Sequence, residues 1–131
     1  MRNKKVLILD DNPINNNKYI IPVKEKYSVD VTFLMSSATR MLKSREYDIV
    51  VIDIMMPSQG LSNKDEMSAG FNYYQEVLRN LHLKCKILFW SRLTESCYDK
   101  TLYPNDGNFD FVHKSESRNH LLNKINAMLS V

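Results

Sequence analysis

The chain has 131 residues, 44% of them hydrophobic, which allows one domain (1–131) with a real core and leaves no room for two comfortable ones. Its 18 Lys and Arg against 15 Asp and Glu give a formal charge of +3 with no basic run, so nucleic acid is not an expected partner. No apolar stretch nears the ~18 residues that span a bilayer, and Cys85 and Cys97 fit no disulfide framework, so a cytoplasmic protein with reduced thiols and no membrane insertion is expected.

Residues 6–9 form a short apolar run followed at once by Asp10, Asp11, Asn12 and Pro13. This reads as a strand, an acidic turn and a helix with Pro near its first position. One acid or amide can serve as an N-cap, but two adjacent carboxylates exceed that need. The helix itself is expected to be poor, because Asn15, Asn16 and Asn17 are weak formers and Pro22 should break or kink it. Residues 29–34 supply a second strand in which Val29, Val31 and Phe33 alternate with Asp30 and Thr32. Residues 37–45 then read as a helix with Ala38, Met41 and Leu42 on one face.

Residues 49–52 are a continuous β-branched block, suited to a central strand buried on both faces. Asp53 arrives where that run stops. An unpaired Asp rarely occupies a fully buried position, so Asp53 is expected to face a site at the strand exit. Asp48 flanks the other end of the strand, about 16 Å away at roughly 3.3 Å per residue. Ligands bind outside the carboxyl ends of strands in open parallel sheets, which selects Asp53 and leaves Asp48 as a polar strand start.

The polar segment 58–69 lacks periodicity and exceeds the ~2–6 residues usual between a strand and a helix, so it is expected to be exposed and functional. A helix over 71–81 places Phe71, Tyr74, Val77, Leu78 and Leu81 at helical spacing, as core and not as a cofactor box. A strand over 87–90 ends in Ser91. A short helix over 94–103 is stopped by Pro104 and the turn Asn105-Asp106-Gly107. A strand over 109–113 ends in Lys114, and Ser115 or Ser117 caps a last helix with Leu121, Leu122, Ile125, Met128 and Leu129 facing inward.

Five strands alternating with helices predict an α/β protein, with a doubly wound parallel sheet covered on both faces. The flavodoxin-like strand order 2-1-3-4-5 belongs to this class. Asp10, Asp11, Asp53, Ser91 and Lys114 would then gather at one edge. Two like charges at ~4 Å repel by about 4 kcal/mol at an effective dielectric near 20, so three carboxylates need a cation to coexist ionised. Oxygen donors without His or Cys favour Mg²⁺ over Zn²⁺. A carboxylate nucleophile beside such an ion, a lysine and a hydroxyl can accept a phosphoryl group.

In combination, Asp10-Asp11-Asn12-Pro13, Asp53 followed by Ile54-Met55-Met56-Pro57, Gly70, Ser91 and Lys114 resemble the receiver domains of two-component response regulators, over nearly the whole chain. The resemblance implies Asp53 as phosphoacceptor, Asp11 as a direct Mg²⁺ ligand, Asp10 acting through a bound water and the backbone carbonyl of Met55 completing the metal shell. It implies that Ser91 and Lys114 bind phosphoryl oxygens. Phe111 falls at the switch-aromatic position, and Met55 and Leu93 at positions that modulate dephosphorylation. Such a domain is no enzyme toward outside substrates. It takes a phosphoryl group from a histidine kinase or phosphotransfer protein and assists its own phosphorylation and dephosphorylation. It signals to a downstream protein target through the surface around its fourth helix and fifth strand. A homodimer is compatible with this. A receiver without an attached output domain is expected, and one cut from a larger protein fits equally.

Four features depart from the family pattern. Ser115 follows the lysine where Pro is common. Arg92 stands where a small residue is usual and is predicted to restrict phosphodonor access or to contact phosphoryl oxygens. The 58–69 loop is long, a candidate for partner selection. Met55 and Leu93 are apolar, and neither suits an attacking water. The competing reading, which Arg92, Ser115 and the loop favour, is a receiver-like interaction module that is not phosphorylated. A flavin protein would want a hydroxyl- and glycine-rich loop after the first strand, and an aspartyl phosphatase a second acid where Met55 stands.

Overall fold

The alternation of apolar blocks with amphipathic stretches produces a sheet with helices on both faces. The computed structural model describes residues 3–115 and 117–130. In chain order the elements are β1 (Lys5–Leu9), α1 (Asn17–Lys26), β2 (Ser28–Thr32), α2 (Met35–Ser44), β3 (Ile49–Asp53), α3 (Ala69–Glu76), β4 (Lys86–Ser91), β5 (Phe109–His113) and α4 (His120–Leu129). The strands form one sheet in the order β2-β1-β3-β4-β5 with every pairing parallel, the predicted flavodoxin-like arrangement. Period-two alternation splits each inner strand between two cores. Leu7, Leu9, Val50, Ile52 and Phe89 face α2 and α3, while Val6, Ile8, Ile49, Val51, Leu88 and Trp90 face α1 and α4. Every residue of β3 is buried because it lies between β1 and β4 under both layers.

Asp48 lies just before β3, at its polar entry, its carboxylate accepting the Lys5 N–H at 2.7 Å. Phe71, Tyr74 and Leu78 are core residues as read from their spacing, with Val77 and Leu81 packed against them. Their helix is shorter than predicted: α3 stops at Glu76, and a 3₁₀ turn over Leu78–Leu81 follows, closed by His82 in the left-handed region at φ 52°.

Several expectations are corrected. Pro22 neither ends nor interrupts α1, which runs on to Lys26. The helix survives the lost N–H because Tyr19, Ile20 and Val23 are buried in one cluster with Leu121, Ile125 and Met128 of α4. Its start lies at Asn17 and not at Pro13, which leaves residues 10–16 free to wrap the acids. β2 ends at Thr32, two residues early, because the Gln59 amide captures the next turn by accepting the Met35 N–H and donating to the Phe33 carbonyl. Neither Ser115 nor Ser117 caps the last helix, since Asn119 occupies that position and the Ser115 hydroxyl instead accepts the Ser117 N–H.

The helix expected over 94–103 does not form. Only a 3₁₀ turn, Glu95–Cys97, appears there, and the rest of the β4–β5 connection is irregular. The Asp99 carboxylate takes the Thr101 N–H and hydroxyl, a local turn that competes with helical bonding. Tyr98 and Tyr103 meanwhile pack on Phe71, and Tyr103 also on Phe89 and Phe109, half-burying their rings without helical spacing. The 58–69 segment is largely exposed, as expected, yet held: Leu61 is buried, and the Glu76 carboxylate accepts the N–H groups of Ser62 and Asn63 at 2.7 and 3.0 Å. Among the described residues no helix is long and apolar enough to cross a membrane.

Candidate functional site

β1 and β3 lie side by side with Leu9 opposite Ile52, so the residues that follow, Asp10 and Asp53, emerge together at the carboxyl edge. Asp11 joins them: one carboxylate oxygen from each of Asp10, Asp11 and Asp53 lies within 4.8 Å of the others. Asp10 is fully buried, its oxygens accepting the Asn12 N–H at 3.0 Å and the Asn16 side-chain amide at 2.8 Å. Asp11 is exposed. Asp53 is only 3% exposed and accepts a bond from Lys114 Nζ at 3.3 Å.

Burial pushes the Asp53 carboxyl up to about 8, helped by its contact with Asp10 and by the charges of Asp10 and Asp11, with Lys114 pulling the other way. One ammonium therefore does not neutralise the cluster. A hard divalent cation with an oxygen preference fits this donor set and would offset both the burial and the like charges that raise the Asp53 carboxyl.

A cleft of about 240 Å³ opens onto the cluster, lined by Asp11, Asn12, Asn16, Asp53, Met55, Arg92 and Lys114. A larger one, of about 550 Å³, lies at the opposite edge between Leu42, Asp48, Leu81 and Lys86. Among the described residues the one group of three acids close enough to share a cation borders the smaller cleft, through Asp11 and Asp53, and makes it the candidate site. Gly70 fixes its floor. The Gly70 N–H donates to the Ile54 carbonyl at 2.9 Å, and a Cβ on Gly70 would meet the Asp53 carbonyl oxygen at 2.7 Å.

Ser91 is fully buried and does not line the cleft. Its Oγ accepts the Leu93 N–H at 3.0 Å and lies 2.7 Å from the Tyr98 hydroxyl. Phe111 is buried, its ring centroid 6.0 Å from that of Tyr98. Lys114 hangs from the end of β5, its N–H donating to the Ser91 carbonyl at 2.6 Å. Arg92 is exposed at the cleft mouth, its carbonyl 2.8 Å from His113 Nε2.

Most of the residues singled out from sequence thus lie at one edge, and the fold adds two they did not include. Asn16 could have been suspected as an amide six positions after Asp10 at a helix start. Tyr98 carried no signal, because its segment reads as a helix and its role depends on that helix not forming.

The fold is shared with solved receiver structures. A Francisella response regulator 1452 receiver domain superposes with a TM-score of 0.73 at 21% identity, over 98% of each chain. A two-component response regulator from Clostridium difficile gives 0.73 at 23% identity, over 97% of this chain and 96% of that one. The response regulator TrrA from Thermotoga maritima, solved in complex with Mg²⁺ and BeF, gives 0.70 at 23% identity, over 95% of this chain and 98% of that one. No curated protein matches the chain. The family model of the response regulator receiver domain matches residues 6–126, nearly the full span from β1 into α4, and the chain belongs to that family.

Proposed function

We propose that this chain is a single-domain, cytoplasmic signalling switch that accepts a phosphoryl group on Asp53 from a phosphohistidine donor and signals through protein contacts. The observation that carries this reading is a desolvated carboxylate at a cleft floor, flanked by two more acids and bonded to a buried lysine. Nucleophilic attack by an Asp53 oxygen forms the new P–O bond as the P–N bond to the donor imidazole breaks, and the imidazole leaves as the neutral base once protonated. Asp11 and Asp53, the Met55 carbonyl and a water on Asp10 would hold Mg²⁺, which when bound neutralises charge on the phosphoryl oxygens. Lys114 needs only to follow an oxygen already beside it. Arg92 at the cleft mouth stands where it can screen the donor.

Ser91 must change partners to reach a phosphoryl oxygen, since its hydroxyl is now engaged with Tyr98. The signal would then pass to the irregular β4–β5 connection that carries Tyr98, beside Phe111. Incubation with acetyl phosphate and Mg²⁺, read by intact mass, tests the reading. The expected result is one added phosphoryl group, absent from Asp53→Asn and from samples in EDTA. No mass gain in the parent protein would favour an interaction module that works without phosphorylation.

Tyr98→Phe removes the competing hydroxyl and keeps the ring. A net hydrogen bond is worth about 0.5–1.5 kcal/mol, so phosphorylation should quicken by roughly two- to tenfold. A rate within error of the parent would show that Ser91 pays nothing to leave Tyr98.

A further inference from the structure

We infer that Trp90, oriented by His120, is the positioning residue that sets the Lys114 ammonium against Asp53; this rests on the phosphoacceptor reading above. Strand register puts Trp90 directly beside Asp53 and next to Val112 of β5, two residues before Lys114. The indole is fully buried, and Lys114 Nζ lies over its face, 4.4 Å from the ring centroid and 3.3 Å from the Asp53 oxygen. The lysine side chain is only 7% exposed, so little water remains to solvate the charge. The ring's electron-rich face supplies the attraction from below that water would otherwise give, and it leaves the N–H groups aimed at Asp53.

The ring plane is set in turn. Trp90 Nε1–H donates to His120 Nε2 at 3.0 Å, and His120 Nδ1 lies 2.7 Å from the Ser117 carbonyl oxygen, which makes Nδ1 the protonated nitrogen. Tyr19 meets both rings edge-on, at 6.1 Å from Trp90 and 4.7 Å from His120. The peptide joining Lys114 to Ser115 is trans, and the lysine is guided by its own N–H bond to the Ser91 carbonyl and by this ring stack. Many apolar side chains could fill the space beneath β4. Only a broad ring with an edge donor both anchors to His120 and underlies the cation.

The experiment uses the full chain with acetyl phosphate and Mg²⁺, in the parent, Trp90→Phe, Trp90→Leu, Lys114→Ala and the two double variants. Phe keeps a smaller aromatic face and Leu keeps none, so the phosphorylation rate should fall by about twofold and about tenfold, with Phe available should Leu fold poorly. In the Lys114→Ala background either change at Trp90 should alter the rate by less than about twofold, because the pathway through the lysine is already gone. Proton NMR supplies a readout that needs no phosphorylation. The Lys114 ε-methylene signals should lie upfield, in the parent, of those of lysines other than Lys18 and Lys26, which also lie over rings, and return toward them in Trp90→Leu. A parent that takes up no phosphoryl group overturns the switch reading itself. A parent that does, with unshifted ε-methylene signals or with equal losses in both lysine backgrounds, overturns the role of Trp90 alone.

Discussion

Asp53→Asn will stabilise the metal-free protein at pH 8 and leave its stability nearly unchanged at pH 4. Burial among Asp10 and Asp11 raises the Asp53 carboxyl from 3.8 to about 8 in the folded protein, while in the unfolded chain it returns to its ordinary value. Between those limits the folded state holds a proton that the unfolded state has released. The stability Asp53 contributes is therefore fully present below about pH 4 and is lost as pH rises through about 8. Asn resembles the protonated acid at every pH, so its advantage opens above pH 4 and levels off beyond 8.

At about 1.36 kcal/mol per pH unit the rise from 3.8 to about 8 sets a ceiling of about 6 kcal/mol. Water entry on ionisation and the loss of Lys114's partner in the variant reduce this, and a gain of about 2–3 kcal/mol at pH 8 is expected. Urea unfolding in EDTA at several pH values measures it. Adding Mg²⁺ should narrow the gap, because an ion bound only by the folded parent stabilises it by mass action. A difference between the two proteins that does not vary with pH would contradict a desolvated Asp53 crowded by like charges.

Gly70→Ala will destabilise the fold by about 2–3 kcal/mol, although alanine is the better helix former at this position in α3. The propensity gain is at most about 1 kcal/mol. Against it stands a Cβ placed 2.7 Å from the Asp53 carbonyl oxygen and 2.8 Å from the Ile54 Cα. Both are backbone atoms of the β3 exit and cannot rotate away, so α3 or the strand end must shift, and overpacking of this kind costs about 1–3 kcal/mol or more. The steric term wins. A lower urea midpoint at unchanged slope is the expected reading, together with slower phosphorylation, because the displaced peptides carry Asp53 and lead to Met55. A midpoint at or above that of the parent would mean that the helix start moves freely from the sheet.

The strand blocks and the gathering of Asp10, Asp11, Asp53 and Lys114 were legible in the residues, while the order 2-1-3-4-5 came with the fold class and the family they resemble. Period-two and β-branched patterning identifies strands, parallel crossovers align their exits, and polar residues that stop apolar runs must then share an edge. The helix expected over 94–103 does not form because apolar residues at mixed spacing suit a turn that half-buries Tyr98 and Tyr103 as well as they suit a helix. Pro22 departs from expectation for the converse reason: packing against α4 outweighs a local penalty.

What the linear order of residues determined was which chemical groups arrive at the edge, since that depends on alternation and chain direction. Only the tertiary structure decided how those groups are held. Asn16 on Asp10, Tyr98 on Ser91 and Trp90 beneath Lys114 are contacts of side-chain rotamer and ring orientation. Such contacts are settled by three-dimensional packing around each residue, and no periodicity along the chain encodes them.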